Sequence, residues 1–428
     1  SSSAVISASY TPSMANSLTK QLRRILPFRT VVRVLAARAG ATLARLRPIQ
    51  ERVYIVANRD GALRGNLAEI ERALRALPAT PTILRETGSD DERNGGVPIL
   101  SLFISVLRIV IRSYRVASSR VVIVDDYFFP IYPVKKRTGV TIIQVWHACG
   151  AFKRFGRATL ESEWGADEIF LKWVPIHSNY DLTLVSSASI AQIYADAFGQ
   201  PVEKISAAFG IPRTDALAPS PRRDATEREV RARLGLTDNR TTILYAPTFR
   251  GADLMGAGAP ELLDIAALYR ALGDQYRLIL RLHPFVKSAM RVPDEAKDFV
   301  VDASREPDVN EVMLAADILV TDYSSIIFEY ALLNRPMAFL APDLAAYERE
   351  RGFFFDYRSG VPGPVVQTTE QFVAWTNAKA FDLPRVAKFA AESFDVMDGR
   401  ATERLVEQVV LPALRGEALH IPAPITRQ

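Results

Sequence analysis

From about residue 50 onward, short runs of β-branched and apolar residues alternate with longer segments whose apolar positions recur at spacings of three and four. The short runs predict strands at Val53–Ala57, Thr82–Arg85, Arg120–Asp125, Thr141–Trp146 and Leu182–Val185. A second series follows at Thr241–Ala246, Tyr276–Leu282, Phe299–Asp302, Asp317–Thr321 and Pro336–Leu340. Helical periodicity fills the intervals, as over Asn66–Leu77, Ile99–Arg115, Ala188–Phe198, Glu261–Leu272, Val309–Ala315 and Ser325–Leu333. Alternation of this kind predicts α/β architecture, with parallel sheets covered by helices on both faces, here built twice. The Pro-rich, polar stretch Ala218–Ala225 reads as the join. The expected division is an arm over 1–48, a first domain over 49–218, a second over 226–416 and a tail over 417–428. A closing helix is expected near Thr402–Val410, interrupted at Pro412 and finished by Gly416.

The arm follows a different pattern. Leu18, Leu22, Ile25 and Leu26 fall at helical spacing beside Lys20, Arg23 and Arg24; Pro27 interrupts, and Val31–Leu46 resumes more loosely. Eight basic residues and no acidic one lie in the first 50 positions, so the remaining chain holds 45 basic against 48 acidic side chains. The net charge of +5 therefore belongs to the arm, and a nucleic-acid reading of the body loses its support. A basic amphipathic helix pair suits the headgroup region of an anionic membrane. Packing of these helices on the body, with solvated arginines, is the alternative, and an Arg- and Ser-rich start also resembles a transit peptide. The most apolar stretch, Val97–Ile111, contains Arg108 and is too short to span a bilayer.

With 48% apolar and 24% charged residues the chain is neither disordered nor a coiled coil. Its 428 residues suit two domains of ordinary size. The one cysteine, Cys149, cannot form an intramolecular disulfide, and no Cys/His cluster has zinc spacing. Chemistry collects where an open α/β sheet binds ligands, outside the carboxyl ends of its strands. His147 follows one predicted strand, Thr248 and Arg250 follow another, Arg281 leads into His283, and Thr321, Asp322, Ser324 and Ser325 precede a helix. Asp322 or Ser324 can cap the helix that follows, and its free N–H groups, the serine hydroxyls, Arg281 and His283 form a set of donors fit for a diphosphate. His147 is placed to face that site from the other domain as a general base. Cys149 as a nucleophile lacks an orienting partner, and Asp125-Asp126 as a metal pair competes with an ordinary solvated turn. His177 and His420 read as structural.

Several of these segments resemble the CDP-glycerol glycerophosphotransferase family of teichoic-acid primases and polymerases. The matching pieces are Asp125–Pro130, Gln144–Lys153, Gly210–Asp215, Tyr245–Arg250, Arg281–Pro284, Thr321–Tyr330, Asn334–Pro336 and Arg351–Phe353. The resemblance implies a GT-B fold: two Rossmann-like doubly wound domains facing a cleft, with acceptor on the first and CDP donor on the second. It implies transfer of a polyol phosphate, with glycerol phosphate expected first, from a donor such as CDP-glycerol to a lipid-linked acceptor, releasing CMP. His147 and His283 would be the catalytic pair, and Thr248, Arg250, Arg281, His283, Thr321, Asp322, Ser324, Ser325 and Glu329 would bind donor. No metal, cofactor or nucleic acid is expected, and the implied place is the cytoplasmic face of the membrane, peripherally bound. One departure is that Ala148 and Cys149 separate His147 from Gly150, where many members have glycine directly after the histidine. A nucleotide-sugar glycosyltransferase and a non-catalytic membrane-tethered binding protein are the competing readings.

Overall fold

The computed structural model describes residues 13–58, 62–88, 98–159, 168–248, 250, 262–282 and 290–422. The first domain is built on strands β1 (Gln50–Ala57), β2 (Thr82–Thr87), β3 (Ser119–Val124), β4 (Thr141–Gln144), β5 (Leu182–Leu184) and β6 (Ile205–Ser206). The second is built on β7 (Thr241–Ala246), β8 (Tyr276–Leu280), β9 (Val300–Asp302), β10 (Ile318–Thr321), β11 (Met337–Leu340) and β12 (Val365–Val366). Every pairing in both six-stranded sheets is parallel. The doubled α/β alternation expected from the sequence is thus what the chain adopts.

Both faces of a parallel sheet are buried, so its strands carry apolar residues at successive positions rather than alternate ones. In β1, Val53 and Ile55 join Leu67, Ile70 and Leu74 of helix α2 (Gly65–Ala76) on one side. Tyr54 and Val56 face the other way, among Val34 of α1 (Ser13–Ala44) and Ile109 and Val116 of α3 (Pro98–Ser118). Burying a Val, Leu or Ile side chain is worth about 1.5–3 kcal/mol. These inner strands therefore anchor both layers.

The strand orders decide where a ligand fits. The first sheet runs β2-β1-β3-β4-β5-β6 and reverses between β1 and β3. The second runs β12-β11-β10-β7-β8-β9 and reverses between β7 and β10. At such a reversal the connections leave in opposite directions and open a crevice at the carboxyl ends.

Three expectations need correction. The stretch expected as a polar linker instead starts a helix: Ser220 caps Pro221–Arg233 by accepting from Arg223 N–H, with Pro221 in the first turn. The closing helix, Ala401–Leu405 continuing through a π-turn at Val406–Val410 into Leu411–Leu414, packs against β1, β3 and α2. It therefore returns to the first domain rather than completing the second. The π-turn lies just ahead of Pro412, whose missing N–H removes one helical bond.

The arm is the third. It is one helix running through Pro27, since an interior proline forfeits a bond without necessarily ending the helix. Its last turns are part of the body: Val34, Ala37 and Ala44 are fully buried, and α1 lies along α3. Arg38 and Arg45 donate to the carbonyls of Pro133 and Lys135, and Arg33 lies over the Phe129 ring. Packing on the body is thus the correct reading for the second half of the arm.

Candidate active site

The two reversals open onto one cavity of about 260 Å³. Arg64 and Gly65 reach it after β1, Asp125 after β3 and His147 after β4. From the second domain come Pro247 after β7, Arg281 after β8, and Ser324, Ser325 and Glu329 after β10. The strand ends singled out in both halves of the sequence therefore do face one another.

His147 is held by local main chain. Its Nδ1 lies 3.1 Å from the Asp125 carbonyl oxygen and 3.7 Å from Asp126 Oδ1. A hydrogen on Nδ1 directed at that carbonyl makes Nε2 the basic nitrogen of the neutral ring. The preceding turn is fixed by Gln144, fully buried, which accepts from Trp146 N–H and donates to Asp126 O and Tyr180 Oη. Trp146 adopts φ 52°, a left-handed conformation that bulky residues avoid. Past the two intervening residues, Gly150 sits at φ +71° with no room for a side chain: a Cβ would lie 2.4 Å from the Phe328 ring. The glycine is required by contact with the second domain, and Ala148 and Cys149 span the distance to it.

The loop then enters the second domain. Residues 152–154 pair with 352–354 through an antiparallel bridge, with Arg154 N–H on Gly352 O and Phe354 N–H on Phe152 O. The Phe152 ring lies 5.2 Å from Phe353 and 5.3 Å from Phe355. Lys153 extends over the Tyr347 ring, where burial, opposed by Asp322, pushes its ammonium down to about 8.

Not every predicted donor-site residue faces the cavity. Ser324, Ser325, Arg281 and Glu329 do. Arg281 donates to Ala303 O and Ser304 O through Nη1, which fixes the guanidinium beside the cavity. Arg250 does not line it: Nη1 pairs with Asp322 and Nε with Asp343, each at 2.8 Å, and the group stacks near Tyr323 and Tyr347. Thr321 and Asp322 are internal fasteners. The Thr321 hydroxyl donates to Ala246 O, and Asp322 accepts from the N–H groups of Thr248 and Tyr323. Asp322 therefore does not cap the following helix; Ser324 Oγ accepts from Ile326 N–H at 3.4 Å. Thr248 is buried against this same loop. His283 lies outside the described residues.

The sequence reading missed Arg213, Asn66 and Asn310. Arg213 Nη1 donates to His147 O at 2.8 Å and reaches Glu329 Oε1 at 3.2 Å. Burial, the largest single influence, would lower the Arg213 pKa, but the combined pull of Glu329, Cys149 and Asp308 leaves it raised. Burial in turn pushes the Glu329 carboxyl up despite Arg213. Arg213 lies within the matching segment Gly210–Asp215, but no local pattern assigns it a role.

Cys149 is a core residue whose thiol burial pushes far up, unsuited to a nucleophile. His177 stacks on Phe198, and burial pushes it down to about 3. Among the described residues no group of three or more His, Cys, Asp or Glu is placed to hold a metal ion.

Residues 99–411 match the model of the CDP-glycerol:poly(glycerophosphate) glycerophosphotransferase family. The chain is 36% identical over 309 residues to the teichoic acid poly(ribitol-phosphate) polymerase of Bacillus spizizenii, covering 72% of this chain and 49% of that protein. It is 34% identical over 381 residues to the teichoic acid ribitol-phosphate primase of the same organism, covering 88% and 95%. The chain thus spans about half the length of that polymerase and nearly all of the primase. The solved wall teichoic acid polymerase TagF shares the fold, with a TM-score of 0.71 at 21% identity over 94% of this chain and 98% of that one.

Proposed function

The chain belongs to the CDP-glycerol:poly(glycerophosphate) glycerophosphotransferase family, and we propose that it transfers a polyol phosphate from a CDP-activated donor to a hydroxyl of a lipid-linked, teichoic-acid-type acceptor. The observation that carries this reading is the shared cavity, in which His147 of one domain faces Ser324, Ser325 and Arg281 of the other. His147 Nε2 takes the proton of the acceptor hydroxyl, and that oxygen attacks the β-phosphorus bearing the polyol. The bond from that phosphorus to the bridging oxygen breaks, and CMP leaves with the electron pair. Arg281 and the two serine hydroxyls stabilise the charge on the phosphates, joined by His283 on the motif's assignment. Positioning of acceptor against donor supplies much of the acceleration. Arg250, Asp322, Thr248 and Thr321 shape the loop that presents the serines rather than touching donor.

The polymerase and the primase compared above are both named for ribitol phosphate, which moves the expected polyol from glycerol to ribitol. We place the enzyme at the cytoplasmic membrane face. Support comes from the basic arm and from an exposed apolar stripe on α3, formed by Phe103, Ile104, Leu107 and Ile111. Among the described residues no helix is long and apolar enough to cross a membrane.

The test is incubation with CDP-ribitol or CDP-glycerol and a lipid-linked acceptor, with nucleotide products separated by chromatography. Release of CMP in step with acceptor extension is expected, faster with CDP-ribitol. No CMP from either donor, or release of a nucleoside diphosphate from a nucleotide sugar, would overturn the reading.

A further inference from the structure

We infer that Arg213 is a positioning residue, which fixes the main chain of His147 against both domains and so sets the imidazole for proton transfer. This deepens the reading above and rests on His147 being the base.

The turn after β4 needs an external hold. Trp146 at φ 52° is strained for a large side chain, and the turn presents three consecutive carbonyls to side chains from elsewhere in the chain. Asn66 Nδ2 donates to Val145 O at 2.9 Å and to Trp146 O at 2.8 Å. Arg213 Nη1 donates to the third, His147 O, at 2.8 Å. The two holders are fastened together, because Arg213 N–H donates to Asn66 Oδ1 at 2.9 Å. Gly65 makes room for this arrangement: at φ +50°, a Cβ there would stand 2.2 Å from Arg213 Nη2.

The same guanidinium reaches the other domain. Nη1 lies 3.2 Å from Glu329 Oε1, and Asn310 Nδ2 donates to the Arg213 carbonyl at 3.4 Å. The main chain of the base, helix α2 and two helices of the donor side therefore meet at one residue. A planar guanidinium can satisfy a carbonyl and a carboxylate at fixed angles. A lysine ammonium on a flexible stem holds neither direction.

An error of about 1 Å in the placement of a reacting group can lower the rate on the order of 100-fold. Arg213→Lys should therefore lower kcat by about 10- to 100-fold while the KM for CDP-polyol changes less than about threefold. Asn66→Ser should show the same split. Both variants should keep the wild-type circular dichroism spectrum. Guanidinium ion should restore part of the activity of Arg213→Ala, whereas equal ammonium should not, and neither should act on His147→Ala. Wild-type kcat in Arg213→Lys, or a loss confined to KM, would overturn the inference; the latter would make Arg213 a donor contact. Should Arg213→Ala not fold, the kcat–KM split in the other two variants decides by the same criterion. An active His147→Ala would instead remove the base itself, and so the reading beneath the inference.

Discussion

His147 directs Nδ1 at a main-chain carbonyl, which leaves Nε2 as the nitrogen that can take a proton. Replacement by alanine removes the proposed base while leaving Ser324, Ser325 and Arg281 in the sequence unchanged. Turnover in His147→Ala should fall by roughly 10²–10⁴, with CDP-polyol affinity, measured by calorimetry, close to wild type. Turnover near wild type would take His147 out of the chemistry. Lys153 gives a pH signature instead. Its folded pKa of about 8 lies below the unfolded lysine value, so the folded chain binds fewer protons between the two. Stability therefore rises with pH across that window, from about 8 to about 10.4, and the burial penalty is in full force below it. Lys153→Met should remove this contribution, on the order of 1–3 kcal/mol. Urea unfolding at pH 7.5 and 9.5 measures it: the stability difference between variant and wild type should shrink at the higher pH. Parallel curves would mean that the ammonium is well solvated.

Helices α1 and α3 show how an element can serve the core and still offer a surface. Their facing sides bury Val34, Ala37, Ile109 and Val116, whereas Phe103 and Leu107 are 64% and 48% exposed on the outer side of α3. Cutting the chain before Pro48 would strip a buried layer, so a membrane test must stop at Arg29. That truncation removes Lys20, Arg23 and Arg24. At about 1 kcal/mol per basic residue near an anionic surface, affinity for anionic liposomes should drop roughly 100-fold. Flotation in low and high salt measures the drop, which salt should reduce. The double change Phe103→Ser and Leu107→Ser should weaken binding to neutral liposomes too. Equal flotation of all three chains would detach both helices from any membrane role.

The paired sheets were legible because buried parallel strands write themselves as β-branched runs; β7 falls where those runs placed it. The edge strands β6 and β12 were not, since two residues apiece leave no pattern to read. The cavity was half legible. Strand-end polarity located Ser324, Ser325, Arg281 and His147, but could not say which polar groups the loops need for themselves. Thr321, Asp322 and Arg250 went to that internal demand, because buried N–H and C=O groups must find partners. Arg213 and Glu329 meet across 116 positions of sequence, beyond any local signal. The destination of the closing helix was hidden similarly: Asp215 of the first domain accepts from the N–H groups of Ala401 and Thr402, a cap supplied from 186 and 187 residues away.

The backbone crosses from one sheet to the other twice, at 221–233 and again before 401, and among the side-by-side ties between the halves one joins 152–154 to 352–354. Any swing that parted those two segments would break the hydrogen bonds from Arg154 and Phe354 and draw the Phe152 ring from among Phe353 and Phe355. That bridge is continuous with the loop bearing His147, only five residues upstream of Phe152. Whatever displaces that bridge is therefore passed along five residues to the turn that carries His147.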